Sequence, residues 1–277
     1  NDISKYSHRF NYNDIKSLED LLKKFKNQVA CIILEPVSKS KPICNSLCQY
    51  CTKKCKGFLK QVRELADKYN TVLIFDEVVT GFRSSVGGYQ KISKVTPDLA
   101  CFSKAIANGL PLSVLAGKKK IMKHSDEIFY SLTFGGETLS LAAALFTIKF
   151  LKKNGVCEKI DENGKYLIEE IKNIIRDTHL EHLIDIQGFP YKNFFIFKNS
   201  ENYNAEIIRT FFIQELAKNN ILSAGYHILS YAHNKKVLDT LLKIYKKNLK
   251  SLKLNIDNKL LLNNIKIPNP KLSARNI

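Results

Sequence analysis

The sequence predicts an α/β fold in which a mostly parallel sheet is flanked by helices, followed by a small α+β domain. Three short apolar runs, at residues 29–34, 71–75 and 99–103, carry this prediction. Continuous apolar runs of this length are typical of strands buried on both faces of a parallel sheet. Between the first two runs, residues 58–69 place apolar and charged side chains on opposite sides of a helix. Strand, helix and strand therefore follow one another, as in a right-handed crossover unit.

The first predicted element is a helix that begins after Asp14, with Leu18, Leu21, Leu22 and Phe25 on one face. A break in the helical pattern at residues 154–155 separates two domains, which we place at 1–153 and 154–277. The other predicted elements are strands at 112–116, 193–197 and 221–222 and helices at 139–153, 158–176, 205–219 and 237–252. His227 and His233 either face a functional site or have a structural role.

Two of the apolar runs end at residues that can do chemistry. Asp76 follows one run, and Lys104 follows another. In open α/β sheets, ligands bind beyond the carboxyl ends of the strands, so the acid and the amine are expected at one edge. They could form a simple salt bridge. They could also bind pyridoxal phosphate, because its aldehyde condenses with a lysine and its ring nitrogen needs an acidic partner.

Four segments resemble the signatures of class III pyridoxal-phosphate-dependent aminotransferases. They are Glu35-Pro36, the run DEVVTGFR at 76–83, the lysine segment at 96–112 and the run TFGGETLS at 133–140. The nearest branch is similar to glutamate-1-semialdehyde aminomutase. The resemblance implies the PLP-dependent transferase fold type I, which is aspartate-aminotransferase-like. Residues 1–153 would then be the C-terminal part of the large domain, and 154–277 the small one.

The resemblance also implies roles for site residues. Lys104 would form the Schiff base with pyridoxal phosphate and shuttle the proton, and burial at the strand end is expected to lower its pKa. Asp76 would pair with the pyridine nitrogen, and Val78 would pack against the ring. Thr133 would reach the phosphate held by a neighbouring subunit, which implies a homodimer with a shared active site. Arg83 would bind a substrate carboxylate, or alternatively form a structural ion pair.

Glu35 corresponds to a family glutamate near the substrate-facing side of the cofactor, or else it is an ordinary carboxylate at a strand end. The implied substrates are a small-molecule amino donor and a carbonyl acceptor. The run TFGGET favours an aminotransferase over the mutase itself. Family members carry a phosphate-binding loop before the point where this sequence begins, and no such loop precedes residue 29. We therefore expect a fragment, a chain completed by another chain, or a truncated non-catalytic partner of a complete enzyme.

Cys44, Cys48, Cys51 and Cys55 lie within twelve residues, spaced C-x3-C-x2-C-x3-C. In a cytosolic chain such density suggests metal before disulfides, so zinc, an iron–sulfur cluster or a redox role is a further alternative. The first three cysteines also resemble the cluster motif of radical S-adenosylmethionine enzymes, although that motif belongs to a different fold. Chance clustering is the remaining interpretation.

The formal net charge of +18 raises the possibility of a nucleic-acid or membrane partner. Only six of the 44 basic residues are arginine, and the lysines are spread along the whole chain. Because arginine is the usual reader of bases and phosphates, we interpret the charge as a lysine-biased composition and expect no nucleic-acid partner. We find no signal peptide and no apolar run long enough to span a bilayer, so we expect a cytoplasmic protein without a membrane partner.

Overall fold

A computed structural model describes residues 3–37, 41–43, 57–129 and 132–266. The chain divides into two compact units, residues 1–157 and 158–277, each of which is described by itself. The domain assignment made from the sequence, with its boundary after residue 153, stays a prediction.

The first unit contains a four-stranded sheet in which the strands follow sequence order. Its strands are β1 (Cys31–Leu34), β2 (Val72–Asp76), β3 (Leu99–Phe102) and β4 (Val114–Gly117). The first three strands are parallel, and β4 runs antiparallel to β3. The mostly parallel sheet expected from the sequence is therefore confirmed.

Helices flank this sheet. Asp14 caps the first of them, since its carboxylate accepts a hydrogen bond of 3.2 Å from the backbone N–H of Ser17. The helices are α1 (Ile15–Lys24), α2 (Phe58–Lys68), α3 (Tyr89–Ser93), α4 (Lys119–Met122) and α5 (Thr138–Asn154), with short 3₁₀ segments at Ile3–Tyr6, Lys104–Ile106 and Lys123–Glu127.

The two faces of the sheet have different surroundings. One face packs against α1 and α2, and there Leu73 and Phe75 of β2 are 0% exposed. On the other face, Ile33 is 55% exposed and Leu115 is 50% exposed. The expectation that the apolar runs are buried on both faces is therefore wrong for the described residues. The alternation arises because successive side chains of a strand point to opposite faces, and the described helices cover only one of these faces.

The second unit is α+β, as the sequence predicts. It contains α6 (Val156–Asp177, beginning at the end of the first unit), β5 (Ile184–Phe189), β6 (Lys192–Phe197), α7 (Ala205–Lys218), β7 (Tyr226–Ile228), α8 (Lys235–Asp257) and α9 (Leu261–Asn264). The three strands form an antiparallel sheet in the order β5-β6-β7. The strand predicted at 221–222 is wrong, because the N–H of Ile221 bonds to the carbonyl of Leu216 and completes the end of α7.

His227 joins a buried polar cluster in this unit. Its Nδ1 lies 2.6 Å from Oδ1 of Asn193, and its Nε2 lies 2.6 Å from the hydroxyl of Tyr245. The amide oxygen can only accept, so Nδ1 carries the proton and Nε2 accepts from the tyrosine. Burial, with a smaller contribution from the charge of His233, lowers the pKa of His227 to about 4. These contacts favour the structural interpretation of His227.

Candidate active site

The carboxyl ends of β2 and β3 meet at one edge of the sheet. Asp76, the last residue of β2, lies beside Cys101 of β3 in the parallel register. Lys104 follows Cys101 by three residues, so the acid and the amine belong to neighbouring strand ends. This is the edge where ligands bind in open α/β sheets.

Lys104 has an unusual backbone conformation. Its φ of +49° lies in the left-handed region, which costs a residue with a side chain roughly 1–2 kcal/mol. The preceding residue helps to hold this turn, since the Ser103 hydroxyl donates a 2.7 Å hydrogen bond to the carbonyl of Leu112. Backbone strain of this kind is concentrated at functional sites. The side chain of Lys104 is exposed, so the expected burial is wrong for the described residues.

Lys104 lines a cavity of about 870 Å³ together with Arg83 and Thr133. Gly135 and Gly136 contribute to the same wall. The segment from 132 to 136 folds as a tight turn, in which the N–H of Gly135 donates 3.0 Å to the carbonyl of Leu132 and Gly136 has a φ of +74°. The structure therefore brings three of the sequence-predicted site residues together in a space large enough for a small organic ligand.

Asp76, Val78 and Glu35 are not among the residues that line this cavity. One carboxylate oxygen of Asp76 accepts a 3.0 Å hydrogen bond from the N–H of Val78, which holds the acid in the turn after β2. Glu35 comes directly after β1, whose last residue, Leu34, lies beside Phe75. All three side chains are partly exposed. The structure places Glu35 directly after β1 and Asp76 at the end of the neighbouring β2, so both lie at the same sheet edge.

Glu77 organises the turn that carries Arg83, a role that sequence reasoning missed. Its side chain is 0% exposed. The carboxylate accepts 2.7 Å hydrogen bonds from the Thr80 hydroxyl and the N–H of Tyr89, the first residue of α3. Gly88 leaves room for it, because a Cβ there would collide with the carboxylate. The signal in the sequence is a second acid after Asp76, followed by a glycine just before a helix.

Asp98 connects the strands from inside the fold, and this residue too was given no role from the sequence. Its carboxylate accepts hydrogen bonds from the N–H of Leu73 at 2.7 Å, from Arg63 at 2.8 Å and from Lys118 at 2.6 Å. Burial alone would raise the pKa of Asp98, but these three donors together hold it below its usual value. The clamp fixes β2 relative to β3 and to the end of β4.

Glu137 caps α5 directly after the Thr133 turn. Its carboxylate accepts 2.7 Å hydrogen bonds from the N–H groups of Leu139 and Ser140. The nearby Ser140 side chain, and then the backbone N–H groups of Ser140 and Leu139, lower the pKa of Glu137. A carboxylate suits the position because the start of a helix carries partial positive charge.

The groups around the cavity suit an anionic ligand that bears a carbonyl group. Lys104 and Arg83 supply positive charge, and an unprotonated lysine amine reacts with aldehydes. Thr133 adds a hydroxyl that can donate to a phosphate oxygen. Gly135 and Gly136 let the backbone approach a ligand closely. The residues present therefore fit pyridoxal phosphate.

The structure bears only in part on two other questions raised by the sequence, a metal site at the clustered cysteines and a membrane-spanning helix. Cys44, Cys48, Cys51 and Cys55 lie outside the described residues. Within the ranges that are described, no group of three or more histidine, cysteine, aspartate and glutamate side chains could hold a metal ion. None of the helices in those ranges combines the length and the apolar character needed to cross a membrane.

Known proteins similar to this chain are aminotransferases and aminomutases. A 3-aminobutyryl-CoA aminotransferase from Cloacimonas acidaminovorans is 33% identical over 229 residues, which are 82% of this chain and 53% of the relative. A glutamate-1-semialdehyde 2,1-aminomutase from Methanosarcina acetivorans is 30% identical over 260 residues, which are 90% of this chain and 59% of the relative. The chain thus spans little more than half the length of these relatives.

Solved structures show the same fold. The FumI protein of Sphingopyxis sp. MTA144, in a form with PLP, aligns with a TM-score of 0.77 at 20% identity over 90% of this chain and 58% of its own. The acetylornithine aminotransferase of Elizabethkingia anophelis aligns with a TM-score of 0.73 at 24% identity, over 88% of this chain and 60% of its own. The fold is therefore that of the PLP-dependent transferases, fold type I, as the sequence predicts. The family model for class-III aminotransferases matches residues 2–212, and this chain belongs to the class-III aminotransferase family.

Proposed function

We propose that the chain forms part of a pyridoxal-phosphate-dependent enzyme that transfers an amino group from a small-molecule donor to a carbonyl acceptor. The single observation that carries this proposal is the cavity at the strand ends, which brings Lys104, Arg83 and Thr133 together. Asp76 lies at the adjacent strand end. An amine, a carboxylate and an anion-binding wall are the groups that this cofactor requires.

When bound, pyridoxal phosphate supplies an aldehyde for amines and a ring that delocalises negative charge. Lys104 lines the cavity, and its amine would hold the cofactor through the aldehyde. The same Nζ would accept a proton from the substrate and return it. Asp76 would keep a proton on the ring nitrogen, and Val78 would pack against the ring.

The remaining site residues are proposed to bind anions and substrate. Thr133 lines the same cavity as Lys104 and is exposed, so its hydroxyl is also accessible to a phosphate held by a second subunit. This proposal implies a homodimer with a shared active site. Arg83 would bind a substrate carboxylate through its planar guanidinium, and Glu35 would orient the other end of the substrate. The cytoplasmic location and the absence of nucleic-acid and membrane partners stay predictions.

An absorbance titration with pyridoxal phosphate tests the proposal. A cofactor joined to a lysine gains a visible band, so we expect saturable growth of that band with the wild-type chain. Lys104→Ala should abolish the band. Lys120→Ala, which changes an exposed lysine of α4, should leave it unchanged. A band that persists in Lys104→Ala would contradict the assigned role of Lys104.

A second candidate is a non-catalytic subunit that lends Thr133 to a complete enzyme. Two observations favour it. Thr133 is exposed, and this chain spans only 53% of the length of the Cloacimonas relative. In that case no band forms with the chain alone, and Thr133→Ala weakens cofactor binding by the complete subunit. The cysteine hypothesis is tested separately by measuring zinc and iron in the purified protein.

A further inference from the structure

The second unit contains a cavity of about 780 Å³, which shares no lining residue with the cavity at Lys104. It lies between the edge strand β7, the first half of α8 and the turn at residues 219–223. Every lining residue belongs to the second unit. The volume is within the range of cavities that bury a small organic molecule.

The walls of this cavity are mostly apolar. The apolar side chains that matter for the argument are Ile221, Leu222, Ile228, Val237, Leu241 and Ile244. Leu222 is fully exposed, and Val237 and Ile228 are 45% and 41% exposed. Single exposed apolar residues are ordinary on a protein surface, but these three line one cavity. The walls therefore offer an apolar group a place away from water.

The charge at this cavity has one sign. Among the described residues that line it there is no aspartate or glutamate, whereas Lys236 contributes an ammonium group. Lys236 is exposed and forms no ion pair with any carboxylate in the described ranges. The acid that follows it on α8, Asp239, instead accepts a 2.6 Å hydrogen bond from the hydroxyl of Tyr166. Lys236 is therefore available to an anion in the cavity.

His233 adds a hydrogen-bond donor at the same end of α8. It lines the cavity, and its Nδ1 accepts a 2.9 Å hydrogen bond from the backbone N–H of Ser230. Because Nδ1 accepts, the proton of the neutral ring is on Nε2. In the part of the chain that the structure describes, this Nε2 has no hydrogen-bond partner. A ligand oxygen can satisfy it.

We propose that this cavity binds a small organic carboxylate with an apolar tail. The carboxylate pairs with Lys236 and accepts a hydrogen bond from Nε2 of His233, while the apolar walls bury the tail. An unpaired ammonium and an N–H donor, without an acid among the lining residues, favour an anion over a cation. The apolar walls favour a ligand with a tail over a small inorganic anion. The proposal does not rest on the proposed function.

Isothermal titration calorimetry of the 277-residue chain tests the proposal, with octanoate as the probe. We expect saturable binding with a Kd below about 1 mM, since a ligand of this size gains little more. Octan-1-ol has the same tail but no charge, so it should bind about tenfold more weakly. Butyrate keeps the charge but has a short tail, and it should also bind more weakly than octanoate.

Variants show whether the cavity is responsible. Lys236→Ala should weaken octanoate binding about tenfold and leave octan-1-ol unaffected, whereas Lys236→Arg should keep the wild-type affinity. Lys243→Ala is the matched control, because Lys243 is exposed on the same helix but does not line the cavity. Val237→Trp fills space that the tail needs, so it should weaken octanoate and octan-1-ol alike.

Three results would overturn the proposal. The first is the lack of saturable binding both for octanoate and for 3-phenylpropionate, a carboxylate with an aromatic tail. The second is equal octanoate affinity in Lys236→Ala and in the wild type. The third is binding that is lost in Arg83→Ala but kept in Lys236→Ala, which would assign the carboxylate to the cavity at Lys104. The absorbance test of Lys104 uses no octanoate, so the two proposals fail separately.

Discussion

Buried carboxylates hold the candidate site together at the level of single residues. Glu77 ties the turn after β2 to the start of α3, and its backbone N–H also donates 2.9 Å to the carbonyl of Cys101. Asp98 ties β2 to the end of β4. Lys104 follows β3, which is held by Asp98 at its start and by the Glu77 hydrogen bond at Cys101. The position of the amine therefore depends on acids that do no chemistry themselves.

Glu77→Gln should lower the free energy of unfolding by about 2 kcal/mol, because the new amide NH₂ would face a donor and leave buried groups unsatisfied. Urea denaturation at pH 7 measures the change. Asp20→Asn alters an exposed carboxylate on α1 and serves as the matched control. An equal and small effect of both variants would show that the Glu77 contacts contribute little.

His227 makes the stability of the second unit depend on pH. Its folded pKa of about 4 lies below the ordinary value of 6.5, so the unfolded chain takes up a proton first as the pH falls. Stability should therefore be lost between about pH 6.5 and pH 4, by up to about 3 kcal/mol from this residue. Denaturation at pH 7 and pH 5 should show a smaller pH effect in His227→Gln, while exposed His182→Gln keeps the wild-type dependence. An unchanged pH effect in His227→Gln would assign the dependence to other groups.

At the scale of elements, local sequence patterns predict which segments are strands and helices but not what covers them. The three parallel strands and the helices at 15–24 and 58–68 follow from apolar spacing and an N-cap. Whether Ile33 is buried depends on which elements pack against its face of the sheet, and the spacing of apolar residues does not report this. The role of Glu77 likewise depends on a helix start twelve residues later. The strand predicted at 221–222 is wrong because these residues are apolar but follow the end of α7, where the N–H of Ile221 bonds to the carbonyl of Leu216.

The cap of α7 offers an element-scale test. The side chain of Asn204 accepts a 2.9 Å hydrogen bond from the N–H of Ile207 and so satisfies the first turn. Asn204→Ala should lower the free energy of unfolding by about 1 kcal/mol. The control is Asn202→Ala, an exposed asparagine two residues earlier. Equal denaturation midpoints for the two variants would argue against a capping role.

At the scale of the whole molecule, the chain combines a recognisable site with a sheet that has exposed apolar side chains on one face. The motifs at 76–83, 96–112 and 133–140 could be recognised from sequence, and the structure gathers Lys104, Arg83 and Thr133 around one cavity. The same sheet leaves one face exposed, and the chain spans little more than half of its relatives. The residues proposed for cofactor chemistry and the exposed sheet face therefore belong to one unit.

The most direct test of the central claim is to map the lysine that carries pyridoxal phosphate. The 277-residue chain is incubated with the cofactor, reduced with borohydride and digested for mass spectrometry. We predict that Lys104 is the main modified residue, and that in Lys104→Ala the modification does not move to another site in comparable yield. A label spread evenly over exposed lysines, and unchanged in total by Lys104→Ala, would contradict the account.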